Sequence, residues 1–477
     1  MKKTKLYDFQ LEDTQRIQKF KGRCLVANEL GTGKSITSLY WAWKYLDEDD
    51  PGPIVIVCPA HLKIHWAREA KRHLNLDVEV LSNRVVPKDK PLPTKPNQIY
   101  VVNYDVLVPH GWKTRTLPPD NSWIMWLSAL KPKLVIMDEG HFAKNIASAR
   151  TRACKRLVKG VPHVLVLTGT PLSNKPPDMW SLINIVHPTL FPSQLDFNIH
   201  YTNASRNWYG WEFKGARNLT QLHNALMSTC MIRRRKCDVL DQLPAIQHTI
   251  IPIEVDLREY HAAESNFLGW MEDISPTLAK NAASATALTK LNFLKKLCGS
   301  LKVEAIIKWA LDFLEESEGK LLLGAIHYDV TGPLVQAFGR KSCVLVDGRM
   351  NHIKKQEAFD RFNSDPKCRI LVGNLDAAGT GWSCPVSSDP TLIELPWVPS
   401  SVAQFVGRCH GIGRGIPGTN THARYLVAEG TVEEDLIELL QTKLDWSSAA
   451  VDGLESSEVD LRSALVSAMK KRVQGRG

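Results

Sequence analysis

Two short stretches of the chain carry residue types that suit phosphate chemistry. The first reads Asn28, Glu29, Leu30, Gly31, Thr32, Gly33, Lys34 and Ser35. Glycines let backbone N–H groups approach phosphate oxygens, and a helix that starts there adds positive potential. The lysine suits the β- and γ-phosphates of a nucleotide, and the serine hydroxyl suits Mg²⁺. The strict phosphate-loop pattern has a glycine where Asn28 stands, so the match depends on the GxGKS core.

The second stretch is a pair of neighbouring carboxylates, Asp138 and Glu139. They directly follow the apolar run Leu134–Met137, which predicts a strand. A carboxylate at a strand tip beside a phosphate loop can hold Mg²⁺, and an adjacent one can activate water. We therefore expect Asp138 to bind the metal and Glu139 to act as general base. The alternative is a polar strand end without function, which the phosphate loop at Lys34 disfavours.

Short apolar strands that alternate with helical segments surround these residues. The first series of predicted strands is Cys24–Ala27, Ile54–Cys58, Ile99–Val102, Leu134–Met137 and Val164–Leu167. The second series is Lys320–Ile326, Cys343–Val346, Arg369–Val372, Leu392–Leu395 and Ala423–Val427. Strands that are apolar nearly throughout are typical of parallel sheets covered on both faces. The sequence therefore predicts an α/β fold with two parallel-sheet lobes.

Strand signals are sparse between the two series. Helical spacing is found instead at Leu257–Ile274, Thr277–Cys298 and Val303–Glu316. We expect a first lobe over residues 1–175, a helical insertion and linker over 176–318, a second lobe over 319–450 and a polar basic tail over 451–477.

Composition narrows the class of protein. The chain has 477 residues, of which 44% are hydrophobic and 23% charged, as in globular proteins. No apolar run reaches the roughly 20 residues of a membrane span, and the N-terminus lacks the apolar core of a secretory signal. The ten cysteines form no CxxC pair, which favours buried thiols in a reducing compartment. We expect an intracellular protein, cytoplasmic if the source is bacterial or viral.

The formal net charge is +10. A basic surplus fits a polyanionic partner such as nucleic acid, and it fits a solvated surface equally well.

The order of motifs along the chain resembles helicase superfamily two, and within it the Swi/Snf-type DNA translocases. The stretches that carry the resemblance are ANELGTGKS, VIVCPAHLKIHWAREAKRH, VVNYDVL, VIMDEGHFAKN, LTGTPLSNKPPDMWSLINIVHPTLF, MIRRRKCDVLDQLP, AAGTGWS, QFVGRCHGIGR and YLVAEGTVEEDLIELLQTK. The stretch KGARNLTQLHNAL is similar to the annealing-helicase subgroup. The resemblance covers nearly the whole chain.

This resemblance implies two RecA-like lobes that use ATP with Mg²⁺ when bound to nucleic acid. It implies that Gln10 contacts adenine, that Gln404 lines the phosphate site, and that Arg408 is an arginine finger. It also places Gly379 and Arg414 among the nucleotide contacts. In the family a second arginine follows the first by three residues, and here that position is Gly411. Arg414 is either its replacement or a surface arginine, so the resemblance leaves the catalytic strength open.

The same resemblance implies a nucleic-acid track, contacted mostly through phosphates. The candidate contacts are Lys63, His65, Asn103, His327 and Thr380. Double-stranded DNA is the expected partner, in a translocase that remodels DNA or displaces bound proteins. Two alternatives stay open: a strand-separating helicase on single-stranded DNA or RNA, and a nucleotide-gated DNA-binding scaffold with weak turnover. No membrane partner is expected.

Two further clusters have more than one interpretation. The basic run Arg233–Lys236 could bind phosphate or DNA, begin an exposed helix, or mimic a nuclear signal. Its place in the motif order favours a structural and nucleotide-coupled role. The aromatic residues Trp208, Tyr209 and Trp211 could stack on bases. Packing within the helical insertion is the favoured interpretation of this aromatic cluster.

Overall fold

The fold is described from a computed structural model of the chain. The chain forms two compact units, Met1–Asp241 with Asp445–Ser456 in the first and, among the described residues, Gln242–Leu444 in the second. The structure describes residues 6–454 except 47–51, 75–76, 88–89, 91, 93–97, 113–115, 173, 209, 240–243, 266–284, 380–381, 412–414 and 417.

A parallel sheet forms the centre of the first unit. Its strands are β1 Arg23–Val26, β2 Ile54–Cys58, β3 Asp77–Val80, β4 Gln98–Asn103, β5 Leu134–Asp138, β6 His163–Leu167 and β9 Met231–Ile232. Their order across the sheet is β3-β4-β2-β5-β6-β1-β9. The strands that carry the phosphate loop and the carboxylate pair, β1 and β5, are both neighbours of β6. Since all strands are parallel, the two motifs leave the sheet at the same edge.

Ten helices of the first unit surround this sheet in the described part of the chain. They are α1 Asp8–Lys19, α2 Lys34–Tyr45, α3 Lys63–Leu74, α4 Tyr104–Leu107, α5 Trp123–Ala129, α6 Ala149–Leu157, α7 Pro177–Val186, α8 Gln194–Tyr201, α9 Leu219–Thr229 and α10 Lys236–Val239.

A second parallel sheet forms the centre of the second unit. Its strands are β10 Ile246–Ile253, β11 Leu321–Ala325, β12 Cys343–Val346, β13 Ile370–Asn374, β14 Asp389–Leu392 and β15 Thr421–Ala428. Their order is β10-β15-β14-β11-β13-β12. The helices are α11 Arg258–Ser265, α12 Ala285–Leu301, α13 Val303–Glu316, α14 Tyr328–Ser342, α15 His352–Ser364, α16 Leu375–Ala378, α17 Pro399–Val406 and α18 Val432–Ser447.

Apolar side chains fill both faces of each sheet. In β5, Val135 and Met137 join the core on one face, while Leu134 and Ile136 join the core on the other. The alternation follows from the two-residue period of a strand. Every position of β5 is buried, as expected for a central parallel strand covered on both sides. The two sheets confirm the α/β class predicted from the sequence.

The segment expected to be a helical insertion is divided differently in the structure. Strand β9 pairs with β1 in the first sheet, and β10 pairs over eight positions with β15 in the second. The boundary between the units therefore lies near Asp241 and not at residues 175 and 319. Strand β10 was missed because it is an edge strand that reads IQHTIIPI, with polar residues and Pro252 breaking the apolar run.

Two other expectations need correction. The strand predicted at Leu392–Leu395 is β14, which starts and ends earlier at Asp389–Leu392, with Pro390 near its start. The aromatic cluster does not pack inside a helical insertion. It belongs to an antiparallel hairpin of β7 Asn203–Asn207 and β8 Gly210–Lys214, on which Trp208 and Trp211 are exposed. Tyr209 lies outside the described residues.

The last described segment returns to the first unit. After α18 the chain forms a turn at Ser448–Asp452, the C-terminal turn, where Ala450 and Val451 are buried in the first unit's core. The basic tail expected over 451–477 lies mostly outside the described residues. Among the described helices, none has the combined length and apolarity to cross a bilayer. All ten cysteines are free, and nine of them are buried.

Candidate active site

The phosphate loop connects β1 to α2, as the sequence predicts. Gly31 and Gly33 both have positive φ angles, of 88° and 85°. A side chain at Gly33 would clash, since an added Cβ would lie 2.4 Å from Nε2 of Gln10. Both glycines therefore meet a backbone requirement, and the loop ends at the N-terminus of α2, where Lys34 and Ser35 occupy the first turn. Free N–H groups at such a helix start suit an anion.

Lys34 lies over its own loop. Its ammonium donates to the carbonyl oxygens of Asn28 at 2.9 Å and Glu29 at 3.1 Å. The lysine charge is thereby kept at the mouth of the loop, where phosphate oxygens can replace the carbonyls as acceptors.

Gln10 contacts the phosphate loop directly. Its side chain is buried, its Nε2 donates to the carbonyl of Thr32 at 2.9 Å, and its Oε1 accepts from the backbone N–H of Tyr7 at 3.1 Å. The structure thus places Gln10 at the nucleotide motif and gives it a role in holding Thr32. The contact with adenine stays a prediction.

Asn28, where the phosphate-loop pattern has glycine, is anchored from behind the loop. Its Nδ2 donates to Oδ2 of Asp13 at 2.6 Å, and Oδ1 of Asp13 accepts from Nε of Arg234 at 2.9 Å. Burial raises the pKa of the Asp13 carboxyl, and the bonds from Arg234 and Asn28 oppose that rise. The substitution therefore links the loop to the basic run, which explains how Asn28 is accommodated.

Asp138 ends β5 and is buried. Its Oδ2 accepts from Nε1 of Trp66 at 2.7 Å, and its Oδ1 accepts from the backbone N–H of Glu139 at 3.0 Å. Burial, together with the negative charge of Glu139, raises the pKa of Asp138 to about 6, although the Trp66 bond and the charge of Lys34 lower it. The carboxylate is therefore a buried anion whose protein partners compensate it only in part.

Glu139 stands on a tight turn between β5 and the following helical turn. Its φ angle is 51°, in the left-handed region that costs a non-glycine residue about 1 kcal/mol or more. The turn is fixed by Gly140, because an added Cβ there would lie 2.3 Å from Cγ1 of Val166. His141 approaches the carboxylate, with Nδ1 3.3 Å from Oε2 of Glu139. The turn thus fixes Glu139 beside Asp138.

The stretch Thr168–Pro171, which reads TGTP, lies against the phosphate loop. An added Cβ at Gly169 would meet Cγ of Leu30 at 2.6 Å, so glycine permits the close approach of the two loops. Arg233 joins them from the side, donating from Nη1 to the carbonyl of Ala27 at 2.7 Å and pairing with Asp452 at 2.6 Å. The structural interpretation of the basic run is therefore correct for Arg233, which fastens the phosphate loop to the C-terminal turn.

In the second unit, Gln404 and Arg408 lie at the end of α17. Arg408 is buried and donates to the carbonyls of Gln404 at 3.1 Å and Trp382 at 2.8 Å. Gly379 lies next to this helix, since an added Cβ there would be 3.6 Å from Cβ of Gln404. The structure therefore brings three predicted residues together in this unit. Their contacts with a nucleotide stay predictions.

The position of the missing second arginine has a backbone reason to be glycine. Gly411 is buried with a φ angle of 141°, a conformation that L side chains rarely adopt. An arginine at this position would therefore strain the chain. Arg414, the candidate replacement, and Thr380, a candidate track contact, both lie outside the described residues.

The nucleic-acid candidates of the first unit have different surroundings. His65 is exposed on α3 and is accessible to a partner. Lys63 is engaged, since its ammonium donates to the carbonyl of Leu81 at 3.1 Å, and burial lowers its pKa. Asn103 is buried at the end of β4. Of the three, His65 has the most accessible side chain for a phosphate.

His327, the described candidate of the second unit, is held by a buried acid. Its Nδ1 lies 2.5 Å from Oε1 of Glu394. Oε2 of Glu394 accepts from the backbone N–H groups of Ile326 at 2.7 Å and His327 at 2.9 Å. Glu394 therefore fixes the orientation of the His327 ring at the start of α14.

Comparison with known families gives both units an assignment. Residues 14–303 match the SNF2-related domain, and residues 307–413 match the helicase conserved C-terminal domain. The chain belongs to the SNF2-related family. This assignment confirms the resemblance inferred from the order of motifs.

Two relatives of this SNF2-related protein are each 28% identical to it. One is "SWI/SNF-related matrix-associated actin-dependent regulator of chromatin subfamily A-like protein 1" of Xenopus laevis, matched over 89% of this chain and 42% of that protein. The other is "DNA annealing helicase and endonuclease ZRANB3" of Homo sapiens, matched over 94% of this chain and 41% of that protein. The chain thus spans about two fifths of the length of these relatives. Among solved structures, the "Sulfolobus solfataricus SWI2/SNF2 ATPase core in complex with dsDNA" is 18% identical, with 94% of each chain covered and a TM-score of 0.41.

Sequence reasoning missed several residues that support the SNF2-related site. Trp66 was noted only as part of a motif, and Asp13 and Glu394 were not singled out. Each acts through a partner distant in the chain, for example Trp66 through Asp138, 72 positions away. Only Glu394 gave a signal in the sequence, as a charged residue within the apolar run Leu392–Leu395.

Proposed function

We propose that this chain is a motor that hydrolyses ATP when bound to double-stranded DNA, and that it remodels DNA or displaces bound proteins. The observation that carries the proposal is the shared edge of the first sheet. The phosphate loop after β1 and the carboxylate pair after β5 lie there, one strand apart. The charge of Lys34 is near enough to lower the pKa of Asp138.

The residues at this edge divide the work of hydrolysis. Backbone N–H groups of the loop and the start of α2 bind phosphate oxygens, and Lys34 neutralises charge on the β- and γ-phosphates. Glu139, fixed by its tight turn, accepts a proton from the attacking water. Arg408 of the second unit is proposed to stabilise charge on the transferred phosphoryl group.

The residues present fit Mg²⁺. Asp138 offers an under-compensated buried carboxylate and Ser35 offers a hydroxyl, and both are hard oxygen ligands. No group of three or more His, Cys, Asp or Glu able to hold a metal occurs among the described residues, and a nucleotide site needs none, because waters and phosphates complete the Mg²⁺ shell. When bound, the ion supplies charge neutralisation between the phosphates.

A basic cavity beside the carboxylate pair supports a polyanionic partner. Its volume is about 640 Å³. The lining residues are Arg84, Asp105, Val108, Pro109, His110, His141, Phe142, Lys144, Asn145, Ser148, Ala149 and Arg150. Three of them are lysine or arginine and one is acidic. Arg150 pairs with that acid, Asp105, at 2.7 Å, and Lys144 pairs with Asp178, which is not a lining residue, at 3.7 Å. The start of α6 adds the positive end of a helix. Such a surface suits phosphodiesters.

Two further observations favour DNA as the partner. The stretch Leu167–Phe191 resembles Swi/Snf-type translocases, and one relative is named a DNA annealing helicase. Residues of α7 within this stretch, such as Trp180 and Leu182, are buried in the core of the first unit.

The test measures ATP hydrolysis without nucleic acid and with duplex DNA, single-stranded DNA or RNA. We expect duplex DNA to give the highest rate. Lys34→Ala should reduce the stimulated rate to background. Lys44→Ala is the matched control, because Lys44 is an exposed lysine on the same helix α2. It should hydrolyse ATP at the native rate.

The same assay separates the alternatives. Preferential stimulation by single-stranded DNA or RNA would replace the duplex translocase with a strand-separating helicase. Hydrolysis equal to that of Lys34→Ala under every condition would favour a DNA-binding scaffold, the alternative motivated by Gly411.

A further inference from the structure

The hairpin β7–β8 carries an unusual aromatic surface, which we call the aromatic arm (residues 203–214). Trp208, which directly follows β7, is 102% exposed, the largest exposure of any large apolar side chain in the described part of the chain. Trp211 on β8 is 41% exposed. A single exposed apolar residue is ordinary, but two tryptophans within four positions of a projecting hairpin are not.

The strand register places an arginine in the same surface. Arg206 pairs with Trp211, and Ala204 pairs with Phe213. Because alternate strand residues share a face, Arg206, Trp211 and Phe213 lie on one side of the hairpin. The rings of Trp211 and Phe213 are nearly parallel, with an interplanar angle of 7° and a centroid distance of 6.3 Å. The aromatic arm thus has one face of flat, stackable groups, and Trp208 lies in the turn between its two strands.

The side chain of Trp208 contributes no packing to the folded chain. An indole that is fully exposed buries no surface, so a polar residue there would serve the hairpin equally well. The residue therefore points to a partner outside the described chain.

The base of the aromatic arm is firmly attached. Arg217 donates from Nε to the carbonyl of His200 at 3.0 Å and from Nη2 to that of Ile199 at 2.8 Å. Nδ2 of Asn218 donates to the carbonyl of His200 at 2.9 Å. These bonds tie the residues after β8 to the end of α8, just before β7. The hairpin is therefore held in a fixed position at its base.

The attachment continues to the phosphate loop through α9. His223 of α9 makes a 3.0 Å bond with the carbonyl of Val451 in the C-terminal turn. In the same turn Asp452 pairs with Arg233, and Arg233 donates to the backbone carbonyl of Ala27, which directly precedes the phosphate loop. The aromatic arm is therefore mounted on the packed unit that holds the nucleotide motifs.

The charge of the arm and its base selects the kind of partner. Residues 203–217 contain three basic side chains, Arg206, Lys214 and Arg217, and one acidic side chain, Glu212. Glu212 pairs with Lys214 at 2.8 Å. Within the described residues, no carboxylate pairs with Arg206, which is exposed. Flat aromatic rings beside an available guanidinium suit a base and its phosphate. An apolar protein groove would leave the arginine charge uncompensated.

We propose that the aromatic arm binds unpaired bases of single-stranded DNA, with Trp208 and Trp211 as stacking surfaces and Arg206 at the adjoining phosphate. Paired bases inside a duplex are already stacked on each other, so an indole must separate a base step to stack there, whereas unpaired bases stack on it without that cost. The inference rests on the proposed function for the identity of the nucleic acid. It adds a binding site outside the nucleotide motifs, for DNA that carries both a duplex and a single-stranded segment.

The test compares affinities for two DNA probes without nucleotide, by fluorescence anisotropy with the full chain. One probe is a blunt duplex, and the other is the same duplex with a single-stranded thymine overhang. Loss of one base–aromatic stack should weaken binding of the overhang probe by about 5- to 100-fold in Trp208→Ala. Binding of the blunt duplex should not change. Trp208→Phe should retain most of the affinity, because it keeps a ring.

A matched control is Leu117→Ala, which removes another exposed apolar side chain of the first unit. It should leave both affinities unchanged. A second measurement uses 2-aminopurine in the overhang, whose fluorescence reports base stacking. The native chain and Trp208→Phe should change the signal strongly, and Trp208→Ala should change it less, because only the stack on Trp211 remains. Because Trp208 is fully exposed, Trp208→Ala should melt at the native temperature.

Two outcomes would overturn the inference: equal loss of affinity for both probes, or no loss for either. Its failure is distinguishable from failure of the proposed function. If duplex DNA stimulates ATP hydrolysis by the native chain but Trp208→Ala binds the overhang probe with native affinity, the proposed function is kept and DNA binding by the aromatic arm is rejected. If Trp208 increases the affinity for the overhang probe but no DNA stimulates ATP hydrolysis, DNA binding by the aromatic arm is kept and the proposed function is rejected.

Discussion

Each unit has a buried carboxylate where a parallel strand ends, and the two carboxylates are held in opposite ways. Asp138 at the end of β5 has a pKa raised to about 6 by burial and by the charge of Glu139. Glu394 follows β14 and is also buried, which acts to raise its pKa. The bonds from His327 and from the N–H of Ile326 outweigh burial, so the pKa of Glu394 is lowered.

The opposite directions of the two pKa shifts distinguish a structural carboxylate, Glu394, from a candidate metal ligand, Asp138. Three protein donors satisfy Glu394, so its ionised form stabilises the fold. Asp138 has two donors and a negatively charged neighbour, so its ionised form destabilises the free protein. A cation removes that penalty, which is the arrangement expected of a metal ligand.

The largest expected effect is on catalysis, in Asp138→Asn. Losing a metal ligand removes several kcal/mol of transition-state stabilisation, so ATP hydrolysis should fall by about 10³-fold. The asparagine oxygen can still accept from Trp66, and the N–H of Glu139 then loses its carboxylate acceptor. The substitution also removes the buried negative charge, whose burial and acidic neighbour raise the pKa of Asp138 to about 6, and this gain offsets the lost bond at neutral pH. The free variant should therefore be at least as stable as the native chain at neutral pH. Thermal melts with and without Mg²⁺ and ATP check this: only the native chain should gain stability from the ligands. A destabilised variant that still hydrolyses ATP would make Asp138 a structural carboxylate like Glu394.

Removing one donor should make Asp138 harder to ionise. In Trp66→Phe the carboxylate loses a bond of about 1.5–3 kcal/mol, since the acceptor is charged. The acid limb of kcat/KM against pH should therefore move up by about one to two pH units, at 1.36 kcal/mol per unit. The control is Trp123→Phe, because buried Trp123 donates to the carbonyl of Asn83 and not to an acid. It should lower stability and leave the acid limb in place.

Glu394→Gln should cost stability and not only activity. An amide accepts through one oxygen, so at least one of the three donors around residue 394 is left unsatisfied. We expect the free energy of unfolding to fall by about 2 kcal/mol, measured by urea denaturation. A variant as stable as the native chain would show that Glu394 is not structural.

The two carboxylates should also give opposite pH dependences of stability. The lowered pKa of Glu394 gives stability that is present above the ordinary value of 4.5 and lost as pH falls through the folded value. The raised pKa of Asp138 gives a penalty that is present above about 6 and relieved as pH falls from there towards 3.8. Urea denaturation of the native chain and both variants from about pH 3 to 8 checks the signs. As the pH falls, the difference in the free energy of unfolding between the native chain and Asp138→Asn should disappear before the difference between the native chain and Glu394→Gln does.

The smallest effect concerns the missing arginine of the second unit. Gly411→Ala should lower stability by about 1–2 kcal/mol, because its φ angle of 141° disfavours a side chain. Gly411→Arg should have the same cost and no gain in hydrolysis. The control is Gly332→Ala in α14, where an added Cβ meets nothing within 4 Å. Stability should change little, because the usual gain from replacing a helical glycine is opposed by Pro333, which disfavours a Cβ on the helical residue before it. Faster hydrolysis by Gly411→Arg would show that a second arginine is missing from the site.

The sequence by itself determined the α/β class, the phosphate loop and the carboxylate pair. Apolar runs such as Ile54–Cys58 are short and rich in β-branched residues, which favours buried strands, and the loop glycines and Asp138 stand next to such runs. Local order along the chain was enough, because each of these motifs is contiguous. The order of the motifs was enough for the family, which the domain matches confirm.

Only the tertiary structure decided which distant side chains meet. Gln10 reaches Thr32, and Asp13 reaches both Asn28 and Arg234, which is 221 positions away. Such contacts depend on strand order and helix packing, which residue spacing does not encode. The same holds for the pKa of Asp138, since burial and neighbouring charge arise only when the chain has folded. The exposure of Trp208 and Trp211 was also decided by the tertiary structure, because both belong to the hairpin of β7 and β8, whereas the sequence favours packing within a helical insertion.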